Sequence, residues 1–197
     1  MKKGTIIGLS IAGLFVIIFL WGNGRYNSMV SSDELVSQAW ANVESQYQRR
    51  SDLIPNLVAT VKGYATHENT TLIDVVEARA KATQVTVDPT NITPEKLAEY
   101  QAAQSQVGSA IGRLLVSVEA YPDLKANQNF KELQAQLEGT ENRISVERQR
   151  FNDAVRSYNV SIRRFPSNII ASMTGFEKKA NFKADTGTEK APQVKFE

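Results

Sequence analysis

Residues 34–64 read ELVSQAWANVESQYQRRSDLIPNLVATVKGY, and this stretch decides the fold. Its large apolar side chains fall at Val36, Trp40, Val43, Tyr47, Ile54, Leu57, Val61 and Tyr64, and the same phase extends back to Met29. The steps alternate between three and four once Arg50 is counted between Tyr47 and Ile54. Such spacing keeps one stripe of a helix against a partner along its whole length, with a left-handed supercoil. Pro55 is the one conflict, because a proline inside a helix removes a hydrogen bond and crowds the carbonyl four residues back. The seam stays in phase across it, which predicts a kink rather than a break.

Downstream the same spacing recurs. One seam runs through Leu97, Tyr100, Gln104, Val107, Ile111, Leu114, Val118 and Tyr121. Another runs through Phe130, Leu133, Leu137, Thr140, Ile144, Glu147, Phe151, Ala154, Tyr158, Ile162 and Phe165. A shorter helix carries Leu72, Val75, Val76, Arg79 and Ala82 on one face. Breaks fall where capping chemistry sits: Thr66 to Asn69, Asp88-Pro89, Thr93-Pro94, Tyr121-Pro122-Asp123 with Asn127 or Asn129, and Phe165-Pro166. The expected class is all-α, with four helices at about 29–66, 69–84, 94–120 and 127–165. Short connections make an elongated antiparallel up-down-up-down bundle, its first and last helices each about 55 Å long. Asn168 to Met173 has the pattern of one amphipathic turn, and the polar remainder of 166–197 reads as a largely mobile tail.

Upstream of the seam, Lys2 and Lys3 precede an uncharged run from Gly4 to Asn23, GTIIGLSIAGLFVIIFLWGN. Its heart, Ile6 to Trp21, crosses most of a bilayer at about 1.5 Å per residue. Trp21 and Tyr26 stand where interfacial aromatic rings are favoured. The run is long for a signal peptide and Leu20-Trp21-Gly22 is a poor cleavage context, so an uncleaved anchor is expected. The division is then 1–3 as a short basic N-terminus, 4–23 as transmembrane anchor in contact with lipid, and 26–165 as the bundle. Lys2 and Lys3 before the span outweigh Arg25 after it, favouring a cytoplasmic N-terminus and an extracytoplasmic bulk at the bacterial inner (cell) membrane.

Composition removes several function classes. With 23 basic against 21 acidic residues, the formal charge of +2 gives no basic excess for a nucleic-acid binder. The chain has no cysteine, which excludes disulfides, iron–sulfur clusters, thiol nucleophiles and thioether lipidation. His67-Glu68 starts like a zinc-protease motif, but Thr71 stands where the second histidine is needed and His67 is the sole histidine. No catalytic residue, cofactor site or metal site is therefore assigned, and the chain reads as a non-enzyme. Arg50 and Glu147 both fall on seams, and an antiparallel pairing makes them a candidate buried pair that fixes register. The candidate interaction surface is Tyr47, Gln48, Arg49, Asp52 and Asn56. The alternative is a small anionic-ligand binder or hydrolase using Arg50, His67 and Glu68. Self-association through the seams is a third reading.

Several motifs also carry a family resemblance. Tyr26-Asn27-Ser28-Met29-Val30, Ala39-Trp40-Ala41-Asn42-Val43-Glu44 and the run from Gln48 to Val58 resemble the LemA family. Val61 to Glu68, Ala78-Arg79-Ala80, Glu119 to Ala126, Leu137 to Ile144, Tyr158-Asn159 and Arg164-Phe165-Pro166 extend the match. Ser51 stands where that family usually has alanine. The resemblance implies a bacterial membrane-anchored helical bundle with no established catalytic residues, whose relatives are linked to membrane-organelle and envelope processes. It also implies an extracellular N-terminus, opposite to the flanking-charge count. Residues and resemblance together predict a membrane-anchored scaffold or interaction protein with protein partners of unknown identity.

Overall fold

Helix propagation adds one hydrogen bond per residue once a turn exists, so a chain without a strong breaker continues. Between Trp21 and Met29 there is no proline, and Asn23 and Gly24 do not interrupt the helix. The computed structural model describes residues 3–64 and 69–183, and within it the anchor and the first bundle helix are one sixty-residue helix, α1, Lys3–Lys62. The helix is unbroken between the expected anchor at 4–23 and bundle at 26–165, and α1 also runs through Pro55. The other helices are α2 (Asn69–Ala82), α3 (Pro94–Ser117), α4 (Pro122–Ala126), α5 (Gln128–Arg163) and α6 (Ser167–Thr174), with a 3-10 turn at Val118–Ala120. No strand occurs among the described residues. Thr93 caps α3 through its hydroxyl on the Lys96 amide at 3.3 Å, with Pro94 at the first helical position. Asn127 caps α5 by accepting from the Phe130 amide at 3.1 Å. Thr66, proposed as a cap, lies outside the described residues.

The longest contact is between α1 and α5. Trp40 meets Phe151, Arg50 meets Glu141, and the Tyr64 hydroxyl meets the Asn127 amide. Each step up α1 is matched by an equal step down α5, so the pair is antiparallel and stays in one register. The shorter α2 and α3 pack on each other, with Asp74 near the start of one 3.5 Å from Arg113 near the end of the other. Seam positions from Met29 to Val61 on α1 are buried, while Tyr64 is half-exposed. On α2, Leu72, Val75 and Ala82 are buried as expected, while Val76 is exposed and Ala78 is buried in addition.

Burial divides the core in two. One cluster holds Met29, Val36, Trp40, Val43 and Tyr47 of α1 with Ile144, Phe151, Val155, Tyr158 and Ile162 of α5. The second, farther from the N-terminal span, holds Ile54, Leu57 and Val61 with the inner faces of α2 and α3 and with Phe130 and Leu137. Arg50 sits at the boundary between them.

The tail expected from Pro166 onward is packed as far as Lys183, which corrects that expectation. After α6, Gly175 takes a left-handed conformation (φ 79°) that favours glycine, and the chain turns back along the bundle. Phe182 is buried against Trp40 and Phe151, at ring-centroid distances of 6.0 and 5.4 Å. Two asparagines of α5 hold the extended backbone. Asn152 accepts from the Phe182 amide at 2.8 Å and donates to its carbonyl at 3.2 Å. Asn159 does the same for Lys179, at 3.0 and 2.8 Å. Seven residues of helix rise about 10.5 Å, and three extended residues span about 10 Å, so the two clamps match the strap. Lys179 is itself buried, its ammonium 2.6 Å from Asp33 and 2.8 Å from the Pro89 carbonyl. Residues 184–197 of the expected tail lie outside the described residues.

Candidate functional site

Arg50 is the charged residue whose position most needs explaining, because burying a cation costs heavily unless it is fully bonded. It is 3% exposed. One terminal nitrogen donates to Glu141 Oε2 at 3.0 Å, and the other to the Gln104 carbonyl at 2.7 Å and side-chain oxygen at 2.8 Å. The guanidinium also lies 5.0 Å over the Tyr47 ring, and Tyr47 meets Tyr100 edge to face at 5.5 Å. Gly108 lies beside it, and a Cβ there would stand 3.5 Å from Arg50 Nη1, an ordinary contact distance. One arginine thus bridges α1, α3 and α5.

The register pair is Arg50 with Glu141, not Arg50 with Glu147. Glu147 bonds Arg150 at 2.7 Å on its own helix. Six residues separate the two glutamates, which is about 9 Å along a helix. Seam phase alone says which side of α5 faces α1 but not the offset between them. Glu141 stands one position past the buried Thr140, at the edge of the seam, with a side chain 60% exposed.

A second arginine explains Pro55. A proline has no amide hydrogen, so the carbonyl of Ser51, four residues back, lacks its helical donor. Arg79 of α2 supplies it: its Nε donates to the Ser51 carbonyl and to the Ser51 hydroxyl, each at 3.0 Å. Between the two arginines lies a cavity of about 110 Å³ bordered by Glu44, Tyr47, Tyr100 and Thr83. Burial pushes the Tyr100 hydroxyl above its ordinary range, with Tyr47 and Glu44 adding to the shift.

Of the proposed interaction surface, Gln48, Arg49, Asp52 and Asn56 are exposed on one side of α1, and Gln48 donates to Asp52 at 2.8 Å. Tyr47 is not part of that surface, since it is buried in the core beneath Arg50. For the alternative anionic-ligand site, Arg50 has both terminal nitrogens engaged, while His67 and Glu68 lie outside the described residues. Among the described residues, no group of three histidine, aspartate or glutamate side chains is placed to hold a metal ion. Sequence reasoning missed the Asn152/Asn159 clamp and Lys179. The seven-residue spacing of the two asparagines beside the seam was the available signal.

The LemA family model matches residues 39–196. Magnetosome protein MamQ 2 of Paramagnetospirillum magneticum is 27% identical over 175 residues, covering 80% of this chain, and the chain spans 64% of that relative's length. Magnetosome protein MamQ of Magnetospirillum gryphiswaldense is 27% identical over 201 residues, covering 92% of this chain and 74% of the relative. Protein LemA of Metamycoplasma hominis is 26% identical over 172 residues, covering 87% and 74%.

Proposed function

The chain belongs to the LemA family, and from that premise we propose that it is a single-pass membrane-anchored scaffold presenting a helical rod to protein partners of the bacterial envelope. The observation that carries this is α1. From Ile6 to Trp21 it is apolar and exposed, a candidate membrane span, and the same helix continues without a break into the bundle. In this reading α1, α2, α3 and α5 form the up-down-up-down rod, the N-terminus is cytoplasmic, and the bulk of the chain stands outside the cell membrane. The magnetosome in the names of two relatives supports a role in organising a membrane-bound structure rather than an enzymatic one. Arg50 and Arg79, polar residues of the family-like motifs, are spent on holding helices together, which favours scaffold over hydrolase.

The partner-facing surface is the exposed side of α1 at Gln48, Arg49, Asp52 and Asn56. In-cell photo-crosslinking from positions 48, 52 and 56 is expected to trap the same partner, and Arg49→Glu is expected to abolish that product while the circular-dichroism spectrum is unchanged. Crosslinks indifferent to Arg49→Glu would place the contact elsewhere.

A further inference from the structure

Where α1 leaves the apolar run, another part of the molecule comes down beside it. Ile170 of α6 packs 3.9 Å from where a Cβ on Gly22 would stand, and Phe176 stacks 5.7 Å from Tyr26. The short helix α6 turns Ser167 and Ala171 into the bundle, one turn apart. The opposite side carries Ile169 and Met173, also one turn apart and 50% and 81% exposed, and Phe165, in the turn just before the helix, is 82% exposed. An exposed apolar ridge is costly in water and marks a contact when it is contiguous. The helix that carries it meets the apolar N-terminal run where Ile170 stands beside Gly22.

Charge points the same way. The two segments that meet here, 20–32 and 157–176, contain Arg25, Arg163 and Arg164 and no acidic residue. Arg163 and Arg164 are exposed and make no ion pair among the described residues. Arg25 lies 5.8 Å over the Trp21 ring, the aromatic residue expected at headgroup depth. Apolar side chains flanked by uncompensated arginines suit the boundary between acyl chains and anionic headgroups.

We propose that Phe165 and α6 form a foot that rests in the bilayer surface beside the span, with Phe165, Ile169 and Met173 entering the lipid and Arg163 and Arg164 meeting anionic headgroups. This goes beyond attachment by the span alone, because a second point of contact fixes the tilt and rotation of the rod. It rests on the membrane reading of α1, and the test separates the two. The natural absence of cysteine allows one environment-sensitive label per full-length chain, at Met173→Cys, at Ile11→Cys within the span, or at Val116→Cys, an exposed apolar position on the far part of α3. The chains are reconstituted in vesicles of phosphatidylcholine and phosphatidylglycerol that carry acyl-chain quenchers. The expected result is strong quenching at 11, and several-fold stronger quenching at 173 than at 116. Quenching at 11 with position 173 no more accessible to lipid than 116 overturns the foot and leaves the anchor intact, whether 173 then faces water or a second copy. Lack of quenching at 11 overturns the anchor itself. In the same vesicles, Arg163→Glu with Arg164→Glu is expected to weaken the quenching at 173 at least twofold, and an unchanged signal would remove the headgroup contact from the proposal.

Discussion

At the scale of single residues, the two arginines that tie α1 to its neighbours make different kinds of prediction. Arg50 and Glu141 form one ion pair, yet only one partner is buried. Removing Glu141 leaves Arg50 its two bonds to Gln104 and its place over Tyr47, and a pair with a solvated carboxylate contributes about 0–1 kcal/mol. Removing Arg50 leaves the Gln104 carbonyl and side-chain oxygens without its two bonds and empties the space over Tyr47, which costs about 1–3 kcal/mol per polar group left unsatisfied. Chemical denaturation is thus expected to show Arg50→Ala far more destabilising than Glu141→Ala, and similar losses for both would sink the assignment of burial. Arg79 is predicted through Pro55. Arg79→Ala leaves the Ser51 carbonyl without a donor, at about 1–3 kcal/mol. With Pro55→Ala the helical amide returns, so the loss from Arg79→Ala is expected to shrink in that background. A double-mutant cycle checks this, and zero coupling would break the link between the two residues.

Tyrosine ionisation gives a pH prediction at the same scale. Burial, reinforced by the negative charges of Asp33 and Glu177, pushes the Tyr158 hydroxyl up to about 12 from an ordinary 10.0. Its hydroxyl donates to the Glu177 carbonyl at 2.9 Å, a bond the phenolate cannot make. Since the folded value lies above the unfolded one, the unfolded chain releases its proton first as pH rises. The contribution to stability is fully present below pH 10 and is lost between 10 and about 12. Melting temperature is therefore expected to fall across that window, and to fall less for Tyr158→Phe.

At the scale of elements, the seams were legible because apolar spacing depends only on the chain's own helical period. Every apolar seam residue expected on α1 from Met29 to Val61 is buried, and Thr93, Pro94 and Asn127 act where their cap chemistry placed them. Three things were not legible, each for a physical reason. The offset of α5 against α1 needs a contact between distant residues, so Glu147 was chosen where Glu141 stands. The outward side of α6 showed only as one amphipathic turn, since three exposed apolar residues carry no signal of what they face. The strap at 176–183 has no regular apolar period, because asparagine side chains hold its backbone, and its inward side chains, Phe176, Lys179, Ala180 and Phe182, are unevenly spaced. The strap can be tested as an element. Asn159→Ala removes both bonds to Lys179, and hydrogen exchange is expected to speed up over 176–183 while α2 and α3 stay protected. Uniform acceleration across the chain would mean the clamp is not local.

At the scale of the molecule, the decisive feature is that the candidate membrane span and the first bundle helix are one helix. From Trp21 to Tyr64 is about 64 Å at 1.5 Å per residue, and α5 runs back along that length from Asn127 to Arg163. A bend between membrane and bundle would require opening consecutive helical hydrogen bonds, so the height of the far end above the bilayer is set by the covalent chain and by the α1–α5 packing. Energy transfer from a label near Tyr64 to acceptors in the headgroup layer is expected to report a narrow distance distribution centred near that length. Inserting a flexible glycine–serine run between Asn23 and Gly24 cuts the helix without touching either core cluster. The insertion is expected to broaden and shorten the distribution while leaving the melting temperature unchanged. A native chain already as broad as the insertion variant would show that the continuous helix does not hold the rod upright, and partners would then be met by a tethered body rather than a fixed post.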